Sequence, residues 1–301
     1  MNKYKQNIRD KDLFIDFIKN QKRYSEHTIR AYKVDLDQLI DYLGEDRRII
    51  NLKKYDLHEY ISSISKNISS KSLSRKIATV KSLYKFLANQ GIIPINISKS
   101  IKIPKIDKKL PNYLTIEEIE DFFKKTLDEI DIKSRDLLII DLLYSTGIRV
   151  SECSSIEMKN INIDKKIIRV TGKGNKIRNV IFGDKTKVNF SNYLKGDRSK
   201  LKSDYLFPSK RRKNELKKNC ITTRTIYNIV KKYLKFISSN EKLGPHSLRH
   251  SFATHLLQSG SDLMAIKDLL GHESLGSTQI YTHLDTKKMK EIYSKAHPHD
   301  K

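Results

Sequence analysis

Seven side chains in the second half of the chain have the chemistry to act together on one phosphate: Arg149, Glu152, Lys173, His246, Arg249, His272 and Tyr281. Two guanidiniums offer permanently charged, forked donors to nonbridging oxygens. Those oxygens gain charge when a phosphodiester is attacked, so a preorganised clamp helps most in the transition state. Tyr281 supplies a hydroxyl nucleophile. Its phenol has a reference pKa of about 10 and needs a neighbouring base and cations to attack at neutral pH. His246 or His272 can take that proton, the arginines favour the phenolate, and Lys173 can protonate a departing 5′ oxygen. The set holds a nucleophile, a charge clamp and proton carriers, and calls for no metal or other cofactor.

Each member alone also has a plainer reading. Arg149 and Glu152, three apart, suit an ordinary intrahelical ion pair worth about a few tenths of a kcal/mol. Lys173 between Gly172 and Gly174 is an exposed turn lysine, although flanking glycines let a backbone approach a phosphate. This is not a Walker loop, because GxxxxGK[ST] is absent. His246 and Arg249 form a common HxxR pair; Pro245 places them at a helix start, where free N–H groups face an anion. Most of the 15 tyrosines must serve packing or solubility rather than chemistry.

The elements that position these residues can be read from periodicity. Leu13, Phe14, Phe17 and Ile18 form a first helical stripe. A second helix follows Ser25, carries Ile29, Tyr32, Leu36, Leu39, Ile40 and Leu43, and stops at Gly44. A third runs from about Lys53 to Ser65. A fourth places Leu73, Ile77, Val80, Leu83, Tyr84 and Leu87 on one face and Arg75, Lys76, Lys81 and Lys85 on a basic, solvated one. Residues 94–111 contain three prolines and five lysines without a period, which predicts an extended basic linker.

Thr115 to Glu118 is a capping-box signature for the next helix. Residues 135–147 form an apolar helix that Gly147 ends. Residues 160–182 switch to short β-branched runs, read as a small antiparallel meander whose last hairpin turns at Gly172–Asn175. A lysine-rich region from 203 to 244 holds one helix around Thr223–Ile237. Helical segments at 246–258, 262–270, 277–283 and 286–296 complete the chain. The division is therefore an all-α domain over 1–100, a linker over 101–111 and a mixed α+β domain over 112–301. The fold class is mainly α with a small antiparallel β-sheet.

Lys and Arg number 60 against 35 acidic residues, a formal charge of +25 over 301 residues. Such an excess favours a polyanionic partner, because lysines and arginines release counterions condensed on nucleic acid. A lysine-rich proteome would raise the charge equally. Cys153 and Cys220 are the only cysteines, with no zinc pattern and no disulfide framework, which suits a reducing interior. No stretch reaches the roughly 20 apolar residues of a membrane span. A cytoplasmic, nucleoid-associated protein is expected.

The ordering of the boxes STGIRVSE, TGKGNKIR, PHSLRHSFATHLL, DLLGH and STQIYTH resembles the tyrosine recombinases, and within them the Xer type. YSEHTIRAYKVDLDQLIDYL is similar to the second helix of that family's core-binding domain, so the likeness spans almost the whole chain. The resemblance implies a two-domain C-clamp around duplex DNA. It implies Arg149 and Arg249 as the phosphate clamp, Lys173 as general acid and His246 as general base. His272 is then a hydrogen-bond donor to phosphate or leaving group, Tyr281 the nucleophile, and Glu152 supporting. It further implies a 3′-phosphotyrosyl intermediate, a Holliday junction and a tetramer formed with itself or a paralogue.

A final segment with Met289, Ile292 and Tyr293 on one stripe is expected to dock on the next subunit, the alternative being packing within its own domain. Xer-type resolution of chromosome or plasmid dimers at cell division stands first. A short integrase of a mobile element and a non-cleaving architectural DNA-binding protein are the alternatives, and a relaxing enzyme of type IB topoisomerase kind would share the chemistry without the tetramer. The sequence leaves open the DNA site, the choice between self and paralogue, activation by a septal DNA translocase, and the purpose of the lysine-rich stretch at 209–219.

Overall fold

The computed structural model describes residues 2–104, 113–128, 131–172, 175–209, 219–271 and 293. The chain divides into two units, Met1–Lys109 and Leu110–Lys301.

The first unit is helical: α1 (Lys3–Asp16) running into a π turn (Phe17–Gln21), α2 (Glu26–Leu43), α3 (Lys54–Ser65), α4 (Ser70–Asn89) and a 3-10 turn (Ile97–Ser100). Ser25 and Ser69 cap α2 and α4, their hydroxyls each accepting a backbone N–H at 3.3 Å. Leu36, Leu39, Ile40 and Leu43 of α2 meet Leu73, Ile77, Val80, Leu83, Tyr84 and Leu87 of α4 in one core, on the faces the helical period selects.

Three expectations need correction here. Leu13 is 48% exposed, because the inner face of α1 runs through polar Asn7 and Asp10 to Phe14, and continues at Ile18 of the π turn. Asn7 is there to bond the chain beyond α2: its amide donates to Arg47 O and its oxygen accepts from Ile49 N, both at 2.9 Å. Lys76 does not lie on a solvated face. It is buried and reaches Asp35 of α2 at 2.9 Å, where the same carboxylate also takes Arg75 and, at 3.0 Å, Thr79 Oγ1. Finally, residues 97–101 are not free linker. Ile101 and Ser98 are buried in this unit, and Lys81 Nζ donates to Ile101 O at 2.9 Å.

The second unit contains α5 (Ile116–Asp128), α6 (Ser134–Ser145), α7 (Val150–Ser154), β1 (Ile161–Asn162), β2 (Ile167–Thr171), β3 (Ile177–Ile181), α8 (Asp184–Lys195), α9 (Thr223–Leu234), α10 (Pro245–Gln258) and α11 (Leu263–Leu270). The box at Thr115 forms as predicted, with Thr115 N–H on Glu118 Oε2 at 2.8 Å and Glu118 N–H on Thr115 Oγ1 at 3.2 Å. The meander is antiparallel in the order β1-β2-β3, with Val170 opposite Arg178 and Ile168 opposite Val180.

Helix α6 is apolar on nearly every face and forms the middle of the larger core with Phe122, Ile168, Val180, Phe190, Val230 and Leu248. Helix α8 lies where the sequence patterns gave no assignment. It is held by α6, whose buried Asp141 accepts Thr186 Oγ1 at 2.9 Å and Asn189 Nδ2 at 2.7 Å.

The chain enters this unit clasped to α10. Leu114 N–H donates to Ser251 Oγ at 2.8 Å, and Leu114 O accepts His255 Nε2–H at 2.9 Å. That fixes the tautomer, so His255 Nδ1 accepts the Tyr144 hydroxyl at 3.0 Å.

The segments predicted helical at 277–283 and 286–296 lie outside the described residues, apart from Tyr293. Its ring is buried in its own chain, among Ile181, Phe252, Leu256, Ile266, Leu269 and Leu270. No helix among the described residues is long and apolar enough to cross a membrane.

Candidate active site

Helix α6 stops at Gly147, whose φ of +59° suits glycine. A Cβ there would come within 2.5 Å of Cδ1 of Phe252, so the missing side chain lets the turn lie against α10. Two residues later Arg149 is the N-cap of α7. Its backbone N–H donates to Glu152 Oε2 at 2.8 Å and its Nη1 to Glu152 Oε1 at 3.0 Å. The predicted pairing of these two residues is therefore present, and the carboxylate is only 2% exposed.

Arg249 comes from the first turns of α10 and is itself buried. Its Nη1 donates to Gly147 O and its Nη2 to Leu270 O, the latter at 2.6 Å. Arg149 Nη2 reaches the adjacent Gly271 O at 3.1 Å. Both guanidiniums thus meet the C-terminal end of α11, where the last carbonyls of a helix lack intrahelical partners and carry partial negative charge.

A third arginine, which sequence reasoning missed, completes the arrangement. Arg178 on β3 donates Nη1 to Glu152 Oε1 at 2.8 Å and Nη2 to Glu152 Oε2 at 2.9 Å. Its Nε points to Leu269 O at 3.4 Å. Gly271, at φ +64°, leaves room for it, since a Cβ there would stand 3.2 Å from the guanidinium. Three successive carbonyls, those of Leu269, Leu270 and Gly271, therefore each face a different arginine. The signal for Arg178 lay in strand alternation: it shares a face with Val180, which is buried, so its charge had to find an acid.

Burial alone would raise the Glu152 pKa, but hydrogen bonds from Arg178 and from the Arg149 backbone, with the charge of Arg178, hold it below the ordinary carboxylate value. Burial, then the positive charge of Arg149, pushes the Arg249 pKa down to about 10. The guanidinium remains charged at neutral pH. Three guanidiniums against one carboxylate leave two positive charges among the described residues, an excess that attracts an anion.

The remaining predicted residues divide as follows. His246 is exposed and stands one turn before Arg249 on α10. Lys173, His272 and Tyr281 lie outside the described residues. Two of them have described neighbours at the cluster. Gly172, just before Lys173, donates its N–H to Lys176 O at 2.7 Å, and a Cβ on it would be 3.2 Å from Glu152 Oε1. Gly271, just before His272, is the residue that packs on Arg178.

Residues 112–288 match the Phage integrase family, and residues 12–91 match the Phage integrase N-terminal SAM-like domain. The chain belongs to the phage integrase family. It is 38% identical over 293 residues to tyrosine recombinase XerC of Thermodesulfovibrio yellowstonii, covering 95% of each protein. It is 35% identical over 295 residues to tyrosine recombinase XerD of Pasteurella multocida, covering 95% of this chain and 97% of that one. Among solved structures it is similar to the XerH site-specific recombinase bound to difH substrate in a pre-cleavage complex. The TM-score is 0.66 at 28% identity, over 88% of this chain and 78% of that one. The likeness first seen in short boxes extends through both units of this family member.

Proposed function

We propose that the protein is a site-specific tyrosine recombinase of Xer type, which cuts and rejoins duplex DNA to resolve joined chromosomes or plasmids. The observation that carries this reading is the convergence of Arg149 and Arg249, from elements 100 residues apart in sequence, on one pocket of excess positive charge. Its relatives in the family carry the names XerC, XerD and XerH.

Arg149 and Arg249 hold the nonbridging oxygens of the scissile phosphate. Glu152 keeps the Arg149 guanidinium at a fixed angle. The Tyr281 hydroxyl attacks phosphorus as its proton passes to His246. The Tyr281 Oη–P bond forms and the P–O5′ bond breaks, with Lys173 giving the departing oxygen its proton. His272 donates a hydrogen bond to the phosphate or the leaving group. The product is a 3′-phosphotyrosyl link and a free 5′-hydroxyl. That link conserves bond energy, so the 5′-hydroxyl of a partner duplex reverses the step without ATP. Four subunits, identical or shared with a paralogue, bring two duplexes together through a Holliday junction. A DNA translocase at the division septum is a fitting activator, and the cytoplasmic nucleoid the place of action.

The test begins by selecting a bound site from a pool of random duplexes with the full chain. A nicked duplex carrying that site, so that the cut strand escapes and the adduct persists, should give a covalent protein–DNA species with wild type and none with Tyr281→Phe. An architectural protein would bind without any adduct. Recombinant products from a plasmid carrying two sites separate a recombinase from a relaxing enzyme.

A further inference from the structure

The group of the cluster that the mechanism above leaves idle is the partly buried Arg178. It engages both oxygens of Glu152, at 2.8 and 2.9 Å, in the forked geometry that guanidinium and carboxylate favour. Glu152 would otherwise face Arg149 alone among the described residues, since that is the other side chain hydrogen-bonded to it. The charge count shows what this changes. Arg149 and Arg249 against Glu152 leave one net positive charge, and Arg178 raises it to two. A phosphodiester is a monoanion, but attack by a phenolate gives a five-coordinate phosphorus species carrying two negative charges. The cluster with Arg178 matches the transition state; without it, the cluster matches the ground state.

Geometry points the same way. Arg178 belongs to β3, the strand that follows the Gly172–Asn175 turn. Its guanidinium packs on Gly271 and its Nε faces Leu269 O. One side chain therefore touches the acid that orients Arg149, the end of α11 that leads into His272, and the hairpin that carries Lys173. Resting on the recombinase reading for the identity of the anion, we propose that Arg178 is a positioning residue for strand cleavage. It occupies Glu152 so that Arg149 and Arg249 present two uncompensated charges to the scissile phosphate, and it pins the β2–β3 hairpin to the end of α11.

The experiment uses the full chain and the selected nicked duplex at saturating concentration. Arg178→Ala should slow single-turnover adduct formation about tenfold to a hundredfold, as expected for misplaced catalytic groups, while duplex affinity stays within about twofold. A second change, Glu152→Gln in the Arg178→Ala background, restores the net charge and should recover most of the lost rate. A merely structural role would make the double variant as slow as the single one or slower. Affinity for inorganic phosphate, measured by calorimetry, should fall in Arg178→Ala and return in the double variant.

Arg178→Lys keeps the charge but loses the fork, and should cleave at an intermediate rate; it decides the matter if the alanine variant fails to fold. Wild-type cleavage and phosphate affinity in Arg178→Ala would overturn the proposal. So would a folded double variant without recovery, or a lysine variant cleaving at the full rate. Absence of any adduct with wild type would sink the recombinase reading instead, and the phosphate titration would still judge Arg178.

Discussion

Glu152 is the hinge of the cluster's electrostatics. A buried carboxylate survives only when its lone pairs are filled, and here two guanidiniums and a backbone N–H fill them. Replacing it with alanine leaves Arg149 and Arg178 facing each other without a counter-charge. The expected loss is about 3–5 kcal/mol of unfolding free energy, the usual penalty for orphaning a buried ion, measurable by denaturant titration. The pH dependence has a definite sign. The folded pKa lies below the ordinary 4.5, so the stabilising contribution is complete above that value and disappears as the pH falls through the lowered one. The stability gap between wild type and Glu152→Gln should therefore narrow on acidification in that window. A gap that stays constant from neutral pH to pH 3 would show that charge is not what Glu152 contributes. At this scale the sequence revealed the Arg149–Glu152 pair through simple spacing, but not Arg178: strand alternation marks its inward face, while its partner on α7 lies too far along the chain for any local pattern to name.

Elements differ in how openly their sequence declares them. Helices α2 and α4 were legible because their apolar period is carried by leucine, isoleucine, valine and tyrosine behind serine caps, and α6 because it is apolar almost throughout and ends before Gly147. Helix α8 was not, since the residues it buries are Thr186, Phe190 and Tyr193, and one of its anchors is a bond from Thr186 to Asp141. Lys76 was misplaced on the solvated basic face of α4 for a related reason: nothing in α4 announces that Asp35 waits on α2, whereas Arg75 and Lys85 are exposed as expected. Asp35→Ala should unmask that dependence, costing about 3–5 kcal/mol because Lys76 is then buried without its partner. A value under about 1 kcal/mol, the range of surface pairs, would mean that Lys76 simply swings into water. Gly147→Ala tests the turn between α6 and α7. With positive φ and a Cβ pressed onto Phe252, it should destabilise by about 2–5 kcal/mol and slow adduct formation, since Gly147 O also anchors Arg249.

At the scale of the whole molecule, the charge of +25 predicts how binding responds to salt. Affinity for the selected duplex should fall by roughly a thousandfold or more between about 50 and 200 mM salt, as for proteins that neutralise several phosphates. Fluorescence anisotropy across that range checks it, and a flat response would mean that the lysines serve solubility rather than DNA. The order of the boxes along the chain, and with it the expected meeting of Arg149 and Arg249, was readable without coordinates, whereas the approach of Gly172 and Gly271 to them was not, because it depends on how α6, α10, α11 and the sheet pack. The clasp at Leu114 has one more consequence. Two hydrogen bonds fasten the backbone of Leu114 to the middle of α10, so any displacement of Leu114 is passed to the helix that bears His246 and Arg249. Leu114 is thus geared directly to the arginine grip, and a local shift there has a short route to the chemistry.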